Sequence, residues 1–256
     1  MFDPLAPVTA CDIEIDLRAE CGGRDPDRYN PRVRTLHRHF WGMKPLPNGE
    51  TLRLESKPTD YRMSCASSFG DAQFTSDTFA SSFQDWVRMQ DLITEVREND
   101  PDDQRQFESL RNTFASMVIF PGAQVDRQPT INQARGYISQ IADRPDLTLE
   151  CIRLFYEGRT QAREGEVLVN PLAPALSRYD WFFEWFGSFR GYVDFFLLQD
   201  LVDDDDDTVK FLLPHTGFDR PGCPQDKAEY TAYRAAAITA LEGRRDRMIA
   251  ALGSQN

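Results

Sequence analysis

The stretch Trp181–Val202, WFFEWFGSFRGYVDFFLLQDLV, is the most apolar part of the chain, and its reading decides where the core lies. Apolar residues cover most of a helical circumference here, which predicts a central buried helix or a broken pair of helices rather than an amphipathic surface helix. Glu184, Arg190, Asp194 and Asp200 interrupt the run too often for a membrane span. Arg190 and Asp194 stand one helical turn apart, and an unpaired charge in such surroundings is costly, so the spacing predicts a structural ion pair between them. Gly187 and Gly191, four apart, would let a second backbone approach closely if the segment is one helix.

Working outward, the five aspartates Asp203–Asp207 end the segment, TVKFLLP reads as a strand, and 227–252 reads as a long amphipathic helix through Tyr230, Tyr233, Ala237, Leu241, Met248 and Leu252. Upstream, Thr130 is expected to cap a helix over 131–143 and Asp146 a second one that stops at Gly158. The polar start of 159–174 predicts a mobile loop, and the boundary if there are two lobes. Residues 104–120 read as helix, with SMVIF as an alternative strand; SSFQDWVRMQDLITEVREN reads as a helix capped by Ser81 or Ser82 and ending before Pro101.

The N-terminal part differs. Ile13, Ile15 and Leu17 alternate with acidic residues, a period of two that predicts a first strand over 8–17. A helix from Pro31 to about Trp41, a turn at Asn48-Gly49 and a strand at TLRLES follow, then YRMSCASS and DAQFTSD as short strands or extended loops. The expected fold is therefore α+β: a small mixed or antiparallel sheet within about residues 8–80, packed on a mainly helical part over about 81–252, in one domain spanning 1–256.

Composition limits the function classes. A formal charge of −12 argues against general nucleic-acid binding, which depends on Lys and Arg neutralising phosphates. Five cysteines, scattered and never in a C-x-x-C pair, suggest reduced thiols rather than a disulfide or zinc framework. With no basic-then-apolar leader at the N-terminus, a cytoplasmic location without membrane association is expected. No Walker A loop, G-x-G-x-x-G, H-E-x-x-H, G-x-S-x-G or kinase signature is present.

Candidate site residues come from three places. In LHRHFWGMKPLPNGE, 36–50, His37 and His39 lie about 200° apart on a helix and cannot share a metal from one face. His37 either packs on Trp41, four residues on, or serves as a catalytic general acid or base; His39 reads as a solvated surface residue, and Lys44 as a ligand-binding cation. Asn132 and Arg135 open a helix, where an anion would be held by free N–H groups and the guanidinium fork; the alternative is local capping and a salt bridge to Asp126 or Asp143. Ser76 and Asp77 in FTSDTF offer a hydroxyl and a carboxylate, or simply a turn. The aspartate run lacks the spacing of a calcium loop, and no metal site is expected.

The stretches RDPDRYNPRVRTLHRHFWGMKPLPNGE (24–50), TINQARGYISQIADRPDLTLECIR (130–153) and FFEWFGSFRGYVDFFLLQDLV (182–202) together resemble a bacterial family that carries a domain-of-unknown-function label. The likeness runs from about Asp12 to about Phe218 and implies one folding unit. The family pattern places a Tyr-His pair before Leu-Trp-Ser-Lys-Pro-Leu-Pro. This chain matches it at His37, Trp41, Lys44, Pro45 and Pro47, carries Leu36 in place of the tyrosine, and has Gly42-Met43 where one residue is usual. Relatives carry histidines after a tyrosine where this chain has Arg62, Met63 and Ser64 after Tyr61. The resemblance brings candidate residues and no reaction. The functional expectation is a cleft between sheet and helices that binds an anionic small molecule or nucleotide through His37, Lys44, Asn132 and Arg135. The alternative is a non-enzymatic interaction or regulatory protein docking a protein partner through its aromatic segment.

Overall fold

Four short strands, β1 (Leu54–Ser56), β2 (Met63–Cys65), β3 (Gln73–Thr78) and β4 (Met117–Pro121), pair antiparallel in the order β1-β2-β3-β4. The computed structural model describes residues 7–57, 60–65, 72–83, 86–159, 170–205, 207–214 and 218–253. Around the sheet lie α1 (Ala10–Glu14), α2 (Leu17–Glu20), α3 (Pro26–Tyr29), α4 (Pro31–His37), α5 (Gln90–Asn99), α6 (Pro101–Arg111), α7 (Ile131–Tyr137), α8 (Pro145–Tyr156), α9 (Ala173–Leu176), α10 (Asp180–Glu184), α11 (Phe189–Phe196) and α12 (Lys227–Gly253). The fold is α+β, with the sheet in the N-terminal half and a mainly helical C-terminal half. No helix of the described residues is long and apolar enough to cross a membrane.

The aromatic segment builds the core, as two helices rather than one. Gly187, at φ +70, breaks the run between α10 and α11, and Ser188 caps α11 by accepting from the Gly191 N–H. Gly191 has no room for a side chain, since a Cβ there would lie 2.1 Å from the Phe186 carbonyl oxygen. Phe182 then packs on Phe186 and Phe196, and Phe74 of β3 reaches Phe182 and Trp185, so the segment meets the sheet directly. Trp41, fully buried, joins the N-terminal helices to the same cluster through Phe195 and Phe196. Buried side chains in mutual contact run from Ile13 to Met248.

Several expected elements differ. The alternating stretch near the N-terminus is helical: Thr9 and Asp12 form a capping box for α1, and Asp16 caps α2 by accepting from the Arg18 and Ala19 N–H groups. Local capping by these acids outweighs the strand-like alternation. Phe83 sits at φ +57, and among the described residues the helix expected from Ser81 starts at Val87. Met117–Phe120 of SMVIF are strand, within β4, every residue of which is buried. The helix after Thr130 ends at Tyr137, six residues short of the expected end, while its capping box with Gln133 is present. Asp146 does not cap α8. It is fully buried, pairs with Arg144 and accepts from the Leu212 N–H at 2.8 Å. TVKFLLP makes one bridge, Val202 to Val209, and no strand. Most of the loop expected to be mobile, 160–169, lies outside the described residues.

Candidate functional site

β3 organises the polar interior. Successive side chains of a strand project to opposite faces, and three consecutive residues here each receive one of the groups singled out in the sequence. Thr75 Oγ1 accepts from Asn132 Nδ2 at 3.1 Å, Ser76 Oγ lies 2.8 Å from His37 Nε2, and Asp77 accepts from Arg135 Nη1 at 2.8 Å. His37 from α4 and Asn132 with Arg135 from α7 therefore converge on one strand, approaching it from opposite sides.

Each of these groups is occupied by protein. Arg135 is fully buried and also donates to the Phe79 carbonyl at 2.7 Å and to Thr148 Oγ1, and it pairs with Asp143 at 3.2 Å. The two carboxylates keep the guanidinium charged, while burial, with repulsion from Asp143, lifts Asp77 above the usual carboxylate range, and burial lifts Asp143. His37 is fully buried, its Nδ1 without a partner, and desolvation holds it well below the usual imidazole range. Lys44 donates to the Asp194 and Phe195 carbonyls at 2.8 and 2.7 Å, closing the C-terminal end of α11, and burial lowers it to about 8. The expected Arg190–Asp194 pair does not form. Arg190 turns to Asp204 and Asp207, while Asp194 is exposed and accepts from Gln199. Asp203, Asp204 and Asp205 are exposed, so their carboxylates need little desolvation to meet Arg190.

Sequence reading passed over Asp27. Its carboxyl reaches Ser76 from α3, opposite His37, and burial against Asp25 raises it to about 7 despite Arg111 and Arg135. A raised carboxyl binds its proton more tightly folded than unfolded, so its cost is absent below pH 4, grows as pH rises toward 7 and is complete above. Asp27→Asn is expected to stabilise the protein by about 2 kcal/mol at pH 8 and by almost nothing at pH 4, the full linkage being reduced because the carboxyl is partly open to water. Urea denaturation at the two pH values measures this; an equal effect at both would assign Asp27 a packing role only.

A groove of about 620 Å³ lies elsewhere, between the N-terminal segment, α4, β1 and the end of α12. After His37 the helix widens into a π turn, Arg38–Gly42, which carries Arg38 and His39 into the groove. Arg53 enters from the residue before β1. Gly42 permits this approach: a Cβ on it would lie 3.1 Å from Leu54 N, and the Gly42 carbonyl accepts from the Arg53 N–H at 2.8 Å. That bond holds Arg53 at φ +45, a left-handed conformation costly for a residue with a side chain. Among the described residues neither Arg38 nor Arg53 has an ion-pair partner, His39 Nε2 has no hydrogen-bond partner, and no carboxylate lines the groove. Burial lowers His39 from the usual imidazole range. Nothing in the sequence spacing brings Arg53 to Arg38; the pairing of the π turn with the strand edge does. Among the described residues no group of three or more His, Cys, Asp or Glu is arranged to hold a metal ion.

No curated protein and no solved structure matches the chain. A model for a family of unknown function, DUF6994, matches residues 11–248. That span takes in the sheet, the β3 cluster, the aromatic core and the groove residues Arg38, His39 and Arg53, and the chain belongs to this family.

Proposed function

We propose that the protein binds an anionic small molecule in the groove formed by Arg38, His39 and Arg53. The observation that carries this reading is charge placement: in a chain of net charge −12, three basic groups line one cavity with no carboxylate among its described lining residues. Acidic proteins have carboxylates to spare for surface arginines, so two arginines that face one space with no ion-pair partner among the described residues favour an anion supplied from outside. The strained Arg53 backbone points the same way, because such strain persists where function uses it. His37, Lys44, Asn132 and Arg135 are not among the residues that line this groove. Free cysteines accord with a cytoplasmic setting, and the continuous run of buried contacts with one folding unit. Docking of a protein partner through the aromatic segment has less support, since Phe182, Trp185 and Phe186 are buried.

Thermal unfolding with and without pyrophosphate at low ionic strength tests the reading. Wild type is expected to gain stability with ligand concentration as RT ln(1 + [L]/Kd), and added salt to weaken the gain. Arg53→Gly relieves the backbone strain, so the unliganded variant should be more stable by about 0.5 kcal/mol while losing most of the ligand response. A response that survives unchanged in Arg53→Gly and in Arg38→Ala would place the anion elsewhere.

A further inference from the structure

The groove has two unlike walls, and this inference rests on the anion-binding reading above. One wall is basic, from Arg38, His39 and Arg53. The groove's aliphatic lining includes Leu54 of β1 with Ile249 and Leu252, three residues apart on the last turns of α12 and both only partly buried. A volume of about 620 Å³ is far more than an inorganic anion fills. The described lining contains no Phe, Tyr or Trp and no Asn or Gln. Recognition of a nucleobase relies on stacking surfaces and amide groups, and this groove supplies neither.

We infer that the occupant is an amphiphilic anion: an aliphatic chain bearing a phosphate or carboxylate head, with the head between Arg38 and Arg53 and the chain along Ile249 and Leu252. The two walls each do what the other cannot. The arginines fix the head and its sign of charge, and the aliphatic wall sets affinity through chain length.

Isothermal titration with butyl, hexyl and octyl phosphate, all below their micelle concentrations, tests the inference beside inorganic phosphate, octanoate, AMP and octyltrimethylammonium. The expected result is a Kd that falls roughly two- to fourfold per added methylene, with octyltrimethylammonium not binding. Octanoate against octyl phosphate tells which head is preferred. Leu252→Gln, at a partly exposed position, should flatten the chain-length dependence and leave inorganic phosphate binding unchanged, with far-UV circular dichroism confirming the fold. Phosphate binding without any chain-length dependence would overturn the amphiphile and leave the anion site standing. Tighter binding of AMP than of octyl phosphate, or equal binding of the quaternary ammonium, would also overturn it. Absence of binding by every anion would remove the anion site itself.

Discussion

Arg135→Met is expected to lower the unfolding free energy by about 3–5 kcal/mol at neutral pH, the loss typical of removing one partner from a buried charge network. The guanidinium is fully buried, and methionine fills much of its volume, so the cost is electrostatic and hydrogen-bonding rather than steric. It strands Asp77 and Asp143 beside each other and leaves the Phe79 carbonyl without its donor at 2.7 Å. Both carboxyls already sit above the usual range. In the variant they take up protons as pH falls, which removes the stranded charge, so the loss should shrink on going from pH 7.5 to pH 5. Arg135→Lys should recover little, because one ammonium cannot reach Asp77, Asp143 and Phe79 together as the planar fork does. Urea denaturation at both pH values checks the prediction. A loss independent of pH would mean that packing, not charge, is what Arg135 contributes.

Trp41→Ala comes next, with an expected loss of about 3–5 kcal/mol, the usual cost of removing a buried aromatic side chain. Trp41 is fully buried and touches Phe40, Phe114, Phe195 and Phe196, with Lys44 and Arg244 against its ring. It lies in the π turn that also carries Arg38 and His39, so its loss should disturb the groove as well. The indole N–H has no partner. Trp41→Phe therefore removes an unsatisfied donor along with some volume, and is expected to cost under about 1.5 kcal/mol. If Trp41→Ala cost less than about 1 kcal/mol, the N-terminal helices would have to be only loosely attached to the aromatic core.

The site residues show how far sequence reading reached. His37 stands out in the sequence because histidine titrates near neutrality, and Asn132 and Arg135 because they open a helix. Which partners they take, the consecutive side chains of Thr75, Ser76 and Asp77, is a matter of strand pleat and helix placement. For Arg135, the alternative of a salt bridge to Asp143 is present in the structure. Asp27 gave no signal, because an aspartate in a turn-rich loop is ordinary until burial changes its proton affinity. His39 read as a surface residue. It lies half-covered in the groove because the α4 helix widens at its end, a shift of one residue in hydrogen bonding that spacing arguments at a period of 3.6 do not register.

What the sequence determined by itself was burial and class. Phenylalanine density near position 190, the capping pair Thr130 and Gln133, and the i+3/i+4 ladder of α12 are local patterns, and each is realised. The tertiary structure decided which charges found protein partners and which were left to face solvent. Arg135 and Arg190 met carboxylates from elsewhere in the chain, while Arg38 and Arg53 met each other across an open groove. Electrostatic pairing depends on distance in space between residues remote in sequence, and nothing in the periodicity of either segment encodes that distance.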